Sequence, residues 1–254
     1  MKFETIEVTI ENRVATVLLS RAPVNAQNRQ MRLELISAMD QLSENDEVQA
    51  IVLAGSGKCF SAGADLKERP MILSQPGGYS EHNRIVRLAC DAVLECRKPV
   101  IGAVHGAAIG AGCVTALVCD ILVVSDDAFF SMTEVDYGMA GGVRHVMRAL
   151  GQSNARLMIY TARRFSGADM YRMNVASACV PRENLMAEAQ QIASEIASKH
   201  YQAILAAKRS FDFTEEMSLR NGYRYEQTQT AELSKLRETQ ENFANFAKSD
   251  KPST

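Results

Sequence analysis

HGAAIGAGCVTALVCDI, residues 105–121, decides how the rest of the chain is read. The run before it, PVIGAV (99–104), is short, apolar and rich in β-branched residues, the mark of a buried strand. Gly110-Ala111-Gly112 lets the backbone bend, and the small and apolar residues around 112–117 form a helix able to pack closely. DILVVS (120–125) then returns as a second buried strand. Strand, bend, helix and strand in so short a run indicate an α/β chain with right-handed crossovers. The first amides of a helix lack internal partners and sit at the positive end of its dipole, which suits them to hold an oxyanion. Close packing of a buried helix on a sheet explains the same residues, and for this segment alone it is the simpler explanation.

Outward from this segment the pattern continues. TIEVTI (5–10) and VATVLL (14–19) flank Glu11-Asn12-Arg13 and read as a hairpin. Met31, Leu35, Ile36, Met39 and Leu42 recur at helical spacing and predict a helix over about 28–43. AIVLAG (50–55) is a short buried strand that opens into the polar loop GSGKCFSAGADLKERP (55–70). After the turn at Pro76-Gly77-Gly78 a helix is expected over 81–95. Beyond Gly151 the alternation stops. SNARLMIYTA, ADMYRM, LMAEAQQIASEIASK, YQAILAAKRSF and the stretch 214–247 read as helices, and only ASACVP (176–181) resembles a strand. The expected organisation is an α/β core over 1–195 followed by a helical region over 196–254, which covers the core or builds subunit contacts.

Composition excludes several function classes. A formal net charge of −2 over 254 residues gives no basic face on average, so nucleic acid is not the expected main partner and an anionic ligand must be met locally. The six cysteines form no C-x-x-C pair and have no histidine at ligand spacing, so no metal site is expected. Runs such as LVCDILVV place cysteine as a small buried hydrophobe and suggest a reducing compartment. No window approaches the roughly 20 apolar residues of a membrane span. The start, MKFETIEVTIENR, lacks the cationic patch of a targeting peptide, so a cytoplasmic location is expected.

Two further segments bear on chemistry. In CFSAGADLKE (59–68), Gly63 between two alanines allows a sharp turn and leaves the Ala64 amide unshadowed, although a tight turn needs no further purpose. FFSMTEVDYGMAGGV (129–143) sets Glu134 and Asp136 among apolar residues and glycines. A desolvated carboxylate there would shuttle protons near neutral pH. A solvated loop acid, or a cap on a helix starting near Gly142, is an equal alternative for Glu134 and the simpler reading of Asp136.

Taken in this order and at these intervals, SAGADLKE (61–68) and AAIGAGCVTALVCDI (107–121) resemble the two oxyanion-loop motifs of the enoyl-CoA hydratase/isomerase (crotonase) superfamily. RAPVNAQN (21–28) is similar to the coenzyme-binding turn of that family. RKPVIGAVHG (97–106), GMAGGV (138–143) and ETQENFANFAKSDKP (238–252) extend the resemblance over essentially the whole chain. The resemblance implies a crotonase-like spiral of repeated ββα units, with a helical C-terminal region serving as lid or trimerisation element. It implies an acyl-CoA thioester substrate, coenzyme A being part of that substrate and no other cofactor being needed, and a homotrimer or homohexamer. The amides of Ala64 and Ala111 would form the oxyanion hole. Alanine at 111 replaces a usual glycine, which a backbone donor tolerates. Arg21, Ala22, Ala62, Asp65 and Leu66 would contact the nucleotide and pantetheine, with Lys248 a further phosphate partner.

The acids depart from the hydratase pattern. Hydratases of the family use two glutamates, and this chain has Val114 at the first position and Glu134 at the second. A single carboxylate suffices to move a proton between carbons, which implies β,γ to α,β double-bond isomerisation with Glu134 as the shuttle. EVDYG also resembles the matching run of dienoyl-CoA isomerases, but their further aspartate would fall near Gly142, where no acid stands. A hydratase recruiting Glu68, Glu81 or Asp136 is an alternative, as is a decarboxylase or carbon–carbon lyase. A non-catalytic acyl-CoA-binding or assembly protein would show a degraded oxyanion loop or a strongly basic helix, and neither is visible. Residues 68–79 are expected to form a mobile lid. Met217, Leu219, Tyr223, Leu233, Leu236, Phe243 and Phe246 would supply either subunit contacts or a monomer core.

Overall fold

Asn12 and Arg13 take φ of 50° and 67°, the left-handed pair that a two-residue hairpin turn requires. They join β1 (Ile6–Glu11) to an antiparallel β2 (Val14–Leu19). The computed structural model describes the backbone of residues 2–249. The Asn28 side chain accepts from the Met31 amide and starts α1 (Arg29–Glu44), which buries Met31, Leu35, Ala38, Met39 and Leu42. Then come β3 (Ala50–Gly55), α2 (Arg69–Ser74), α3 (Gly78–Leu94), β4 (Val100–Val104), β5 (Ala107–Ile109) and α4 (Ala111–Leu117). They are followed by β6 (Ile121–Ser125), β7 (Phe129–Ser131), α5 (Val143–Thr161), β8 (Phe165–Ser166), α6 (Gly167–Arg172), β9 (Ala178–Val180) and α7 (Leu185–Ala197).

Two sheets result, ordered β1-β2-β3-β4-β6-β9 and β5-β7-β8. From β2 to β9 the large sheet is parallel. A strand of the large sheet, a short strand of the small one and a helix repeat as β4-β5-α4 and β6-β7-α5. After β3 the same step is reduced to a single bridge, Ser61 to Ala108, before the chain enters its helices. These are the repeated ββα turns of a spiral. Strand alternation divides the core: Val17, Leu19, Ile51, Leu53, Val104 and Val124 face one side with α1 and α4. Val14, Ala50, Val52, Ile101, Ala103 and Val123 face the other, where α7 covers them with Leu185, Ala189, Ala193 and Ala197.

Several expectations need correction. The polar loop expected over 55–70 ends in a helix: α2 occupies 69–74 within the segment expected as a lid, with Pro70 in its first turn where a missing amide hydrogen costs nothing. The helix expected from 81 starts at Gly78. The turn between β4 and α4 contains a three-residue strand, and α5 breaks at Gly151, whose φ of 70° and ψ of 175° are not helical.

The chain divides into two compact units, Met1–Ser198 and Lys199–Thr254. The second holds α8 (Tyr201–Thr214), α9 (Leu219–Leu233) and α10 (Arg237–Ser249). Phe213 and Tyr225 stack across α8 and α9 with ring centroids 5.4 Å apart. Leu219 is 92% exposed, and Met217, Tyr223, Leu236, Phe243 and Phe246 are also exposed, so these residues are not a monomer core. Among the described residues no helix is long and apolar enough to cross a membrane. All six cysteines are free.

Candidate active site

The first element of the site is the backbone after β3. Asn25, buried with φ of 51°, donates through Nδ2 to the carbonyls of Ser56 and Cys59 and accepts the Arg21 amide on Oδ1. It pins the 21–28 turn against the incoming loop. The Ala62 amide donates to Val24 O at 2.9 Å, and Ser61 Oγ donates to Asn25 O at 2.7 Å. Arg21 reaches over this turn, with Nη1 on Ala26 O and Nη2 on Asp65 Oδ2, both at 2.8 Å. Burial alone would raise the Asp65 carboxyl, but hydrogen bonds from the Lys67 amide and Arg21 outweigh it and hold the group below its ordinary value.

Gln27 fixes which way the Ala64 amide faces. Its N–H donates to Gly63 O at 2.7 Å and its carbonyl accepts from the Asp65 N–H at 3.1 Å. In extended backbone successive N–H groups alternate, so the Ala64 N–H points to the opposite side. On that side lies the 109–111 segment, held to the same strand by Ile109 N–H donating to Ser61 O at 3.0 Å. The Gly110 amide leaves this gap to donate to Ser131 O. A Cβ on Gly63, where φ is 89°, would sit 2.4 Å from Ile109 O and 3.5 Å from Ala111 N. Glycine is therefore required at 63 for the two segments to approach. Among the described residues neither the Ala64 N–H nor the Ala111 N–H has an acceptor. The Gln27 side chain spans both segments, donating to Thr115 Oγ1 at 3.0 Å, and the Thr115 hydroxyl donates to Ala111 O at 2.9 Å.

Glu134 opens a 3-10 turn, Glu134–Tyr137. Its carboxylate lies over the second segment: Oε1 is 2.7 Å from the position of a Cβ on Gly110. Oε2 is buried without a hydrogen-bond partner. Burial pushes this carboxyl up, and its own backbone amide and the charge of Arg69 only partly oppose the shift. A Cβ on Gly142 would come within 2.7 Å of Val114 Cγ2 and 2.6 Å of Met132 Cε, so the position of the missing second acid is apolar and filled. The other acids named from sequence are engaged elsewhere or solvated. Both Glu68 oxygens accept the Arg29 amide, Glu81 pairs with Arg29 Nη2 at 2.9 Å, and Asp136 is exposed.

The structure thus brings the Ala64 and Ala111 segments together with the Glu134 carboxylate over the second of them, ties Ala62, Asp65 and Arg21 to the 21–28 turn, and leaves Ala22 and Leu66 exposed. The side chain of Lys248 lies outside the described residues. Sequence reading passed over Asn25, Gln27 and Thr115, polar residues that only tertiary packing buries. It also passed over Arg69, whose guanidinium sits 5.6 Å over the Tyr79 ring and whose Nη1 is buried without a partner. Two adjacent unpaired amides are what a carbonyl oxygen gaining negative charge requires, and a partly desolvated carboxylate beside them is suited to moving protons. Among the described residues no group of three or more His, Cys, Asp or Glu side chains is placed to hold a metal ion.

A family model for enoyl-CoA hydratase/isomerase matches residues 9–253. A probable enoyl-CoA hydratase of Rhizobium meliloti (strain 1021) is 33% identical over 250 residues, 97% of this chain and 96% of that protein. A peroxisomal Delta(3,5)-Delta(2,4)-dienoyl-CoA isomerase of Arabidopsis thaliana is 31% identical over 241 residues, 88% of this chain and 87% of that one. The crystal structure of an enoyl-CoA hydratase subunit I from Geobacillus kaustophilus HTA426 superposes with a TM-score of 0.90 at 29% identity, covering 100% of this chain and 99% of the other. Spiral, paired motifs and near-complete coverage agree, and the chain belongs to the enoyl-CoA hydratase/isomerase family with its crotonase fold.

Proposed function

We propose that the chain isomerises enoyl-CoA thioesters, shifting the double bond from β,γ to α,β. The thioester carbonyl accepts from the Ala64 and Ala111 amides. Glu134 takes a proton from the α-carbon, the electron pair delocalises onto the carbonyl oxygen as a dienolate, and the same carboxyl returns the proton to the γ-carbon. Each amide contributes about 3 kcal/mol to stabilising the oxyanion. Arg21, Ala22, Ala62, Asp65 and Leu66 form the rim that meets the nucleotide and pantetheine. Because Arg21 and Asp65 neutralise each other, their part is to shape that rim.

The observation that carries this reading is the single carboxylate. Glu134 has a buried unpaired oxygen beside Gly110, and Val114 and Met132 fill the place of a second acid. Hydration is the second reading, favoured by the name of the Rhizobium relative. It needs another group to hold the water, and Glu68 and Glu81 are already bound at Arg29.

The test replaces Glu134→Gln and follows turnover of paired α,β- and β,γ-enoyl-CoA substrates, with solvent-deuterium exchange at the α- and γ-carbons. Wild-type enzyme is expected to interconvert the pair with exchange and without water addition, and the variant to lose at least 100-fold of both activities. Exchange at the wild-type rate in the variant overturns the shuttle, and a 3-hydroxyacyl product makes hydration the activity.

A further inference from the structure

We propose that the cavity walled by α1, α2 and α3 is an acyl subsite for a substrate ending in a carboxylate, anchored by Arg32. The proposal rests on the thioester reading only in taking the far end of the acyl group as the source of the anion.

The cavity holds about 180 Å3, well above what one water needs. Met71, Ile72 and Ile85 give it apolar wall, and Arg32 stands in its lining. Arg32 is only 2% exposed, yet its Nε and Nη2 meet no acceptor. The two acids of the lining do not serve it: Glu81 pairs with Arg29, and Glu68 accepts the Arg29 amide on both oxygens. Burial, the largest influence, lowers the guanidinium to about 10 despite the opposing charge of Glu68, so Arg32 remains a cation at neutral pH. Two buried guanidinium nitrogens without acceptors are costly for a fold to hold, even with the Glu68 charge nearby, and an apolar side chain of similar volume would satisfy packing better. His82 offers no competing charge. Burial, then the charges of Arg32, Arg69 and Arg29, push it down to about 4.

Arg69 stands outside the cavity lining, and its charge is felt both in this cavity and at the reaction centre. It opens α2 just after the 62–65 segment, carries its own buried unpaired Nη1, and its charge acts both on Glu134 and on Arg32. An acyl group whose carbonyl lies at the Ala64 and Ala111 amides would pass Arg69 on its way to Arg32. The chemistry that fits is a short apolar spacer along Met71 and Ile72 with a carboxylate at its end, held by charge-assisted hydrogen bonds.

The test compares binding of glutaryl-CoA, pentanoyl-CoA and free coenzyme A by calorimetry, which needs no turnover, and isomerisation of β,γ-enoyl-CoA substrates of equal length ending in carboxylate or methyl. The wild type is expected to favour the carboxylate 10- to 100-fold in both Kd and kcat/KM. Arg32→Met should erase the preference through KM, leaving kcat and the methyl substrate within about threefold, and Arg32→Lys should restore part of it. A structural Arg32 would instead show as a lower Tm in Arg32→Met, whereas the expected Tm is equal or higher. Wild-type binding of pentanoyl-CoA as tight as glutaryl-CoA overturns the proposal without any variant. A loss of free coenzyme A affinity in Arg32→Met equal to that of glutaryl-CoA assigns Arg32 to a coenzyme phosphate and also overturns it. Arg32-dependent glutaryl-CoA binding with no isomerisation leaves the subsite standing and removes the proposed reaction.

Discussion

Gln27 holds both amide-bearing segments at once, with its backbone on either side of Ala64 and its side chain on the hydroxyl that fixes Ala111 O. Gln27→Leu keeps the volume and removes the side-chain tie. The expected result is a fall in kcat of about tenfold with KM within twofold, because misplaced donors weaken the transition state more than the ground state. Steady-state kinetics check this, and a KM effect alone would make Gln27 a binding residue. Glu134 adds a pH signature. Its carboxyl is raised in the folded protein, so the protonated form is favoured by folding and stability declines as pH rises through the raised value. Glu134→Gln should therefore melt higher than wild type at neutral pH, with the gap closing below the ordinary value of 4.5, as thermal melts across pH would show. Ala64, Ala111 and Glu134 were named in sequence only through the family resemblance of their three segments, since a tight turn, a closely packed helix and a solvated or capping acid accounted for the same residues. Arg32 was not, because it stands between Met31 and Leu33 at a position that reads as solvated until α3 packs over α1.

At the level of elements, α1 is tied to the start of the chain through Glu34. Its carboxylate accepts the amides of Glu4 and Thr5, the Thr5 hydroxyl and Gln30 Nε2. Burial alone would raise this group, but the hydrogen bonds prevail and bring it down to about 2. Its stabilisation is thus present above the unfolded value of 4.5 and is lost as pH falls toward 2. Glu34→Gln is expected to lose on the order of 2 kcal/mol at pH 7, and the difference should vanish across that acid window in denaturant titrations. The longer elements announced themselves: α1, β3 and β6 lie within a residue or two of their sequence signals. The elements missed were β5, β7, β8 and α2. Strands of two or three residues show no alternation, and their pairing comes from distant segments, as when Ala107 meets Phe129. α2 hides in a polar, proline-flanked loop whose composition argues against a helix.

For the molecule as a whole, the second unit exposes Phe211, Leu219, Tyr223, Phe243 and Phe246. Aromatic surface of this extent favours association, and we expect light scattering to report three or six chains, with Leu219→Asp shifting the distribution toward the monomer. A monomeric wild type at micromolar concentration would refute it. Sequence alone left subunit contacts and a monomer core as equal uses of these side chains, since periodicity marks an apolar stripe without saying what meets it. The α7 cover carries another implication, for biosynthesis. The sheet face of Val14, Ala50, Val52, Ile101 and Val123 is sealed by a helix that begins only at Leu185. At 5 to 20 residues per second, a ribosome needs about 3 to 12 seconds to go from Val123, which completes that face, to Leu185, where its cover begins. Until then the growing chain carries apolar surface of the kind chaperones shield, and a premature stop upstream of Leu185 would yield a product with a permanently sticky side.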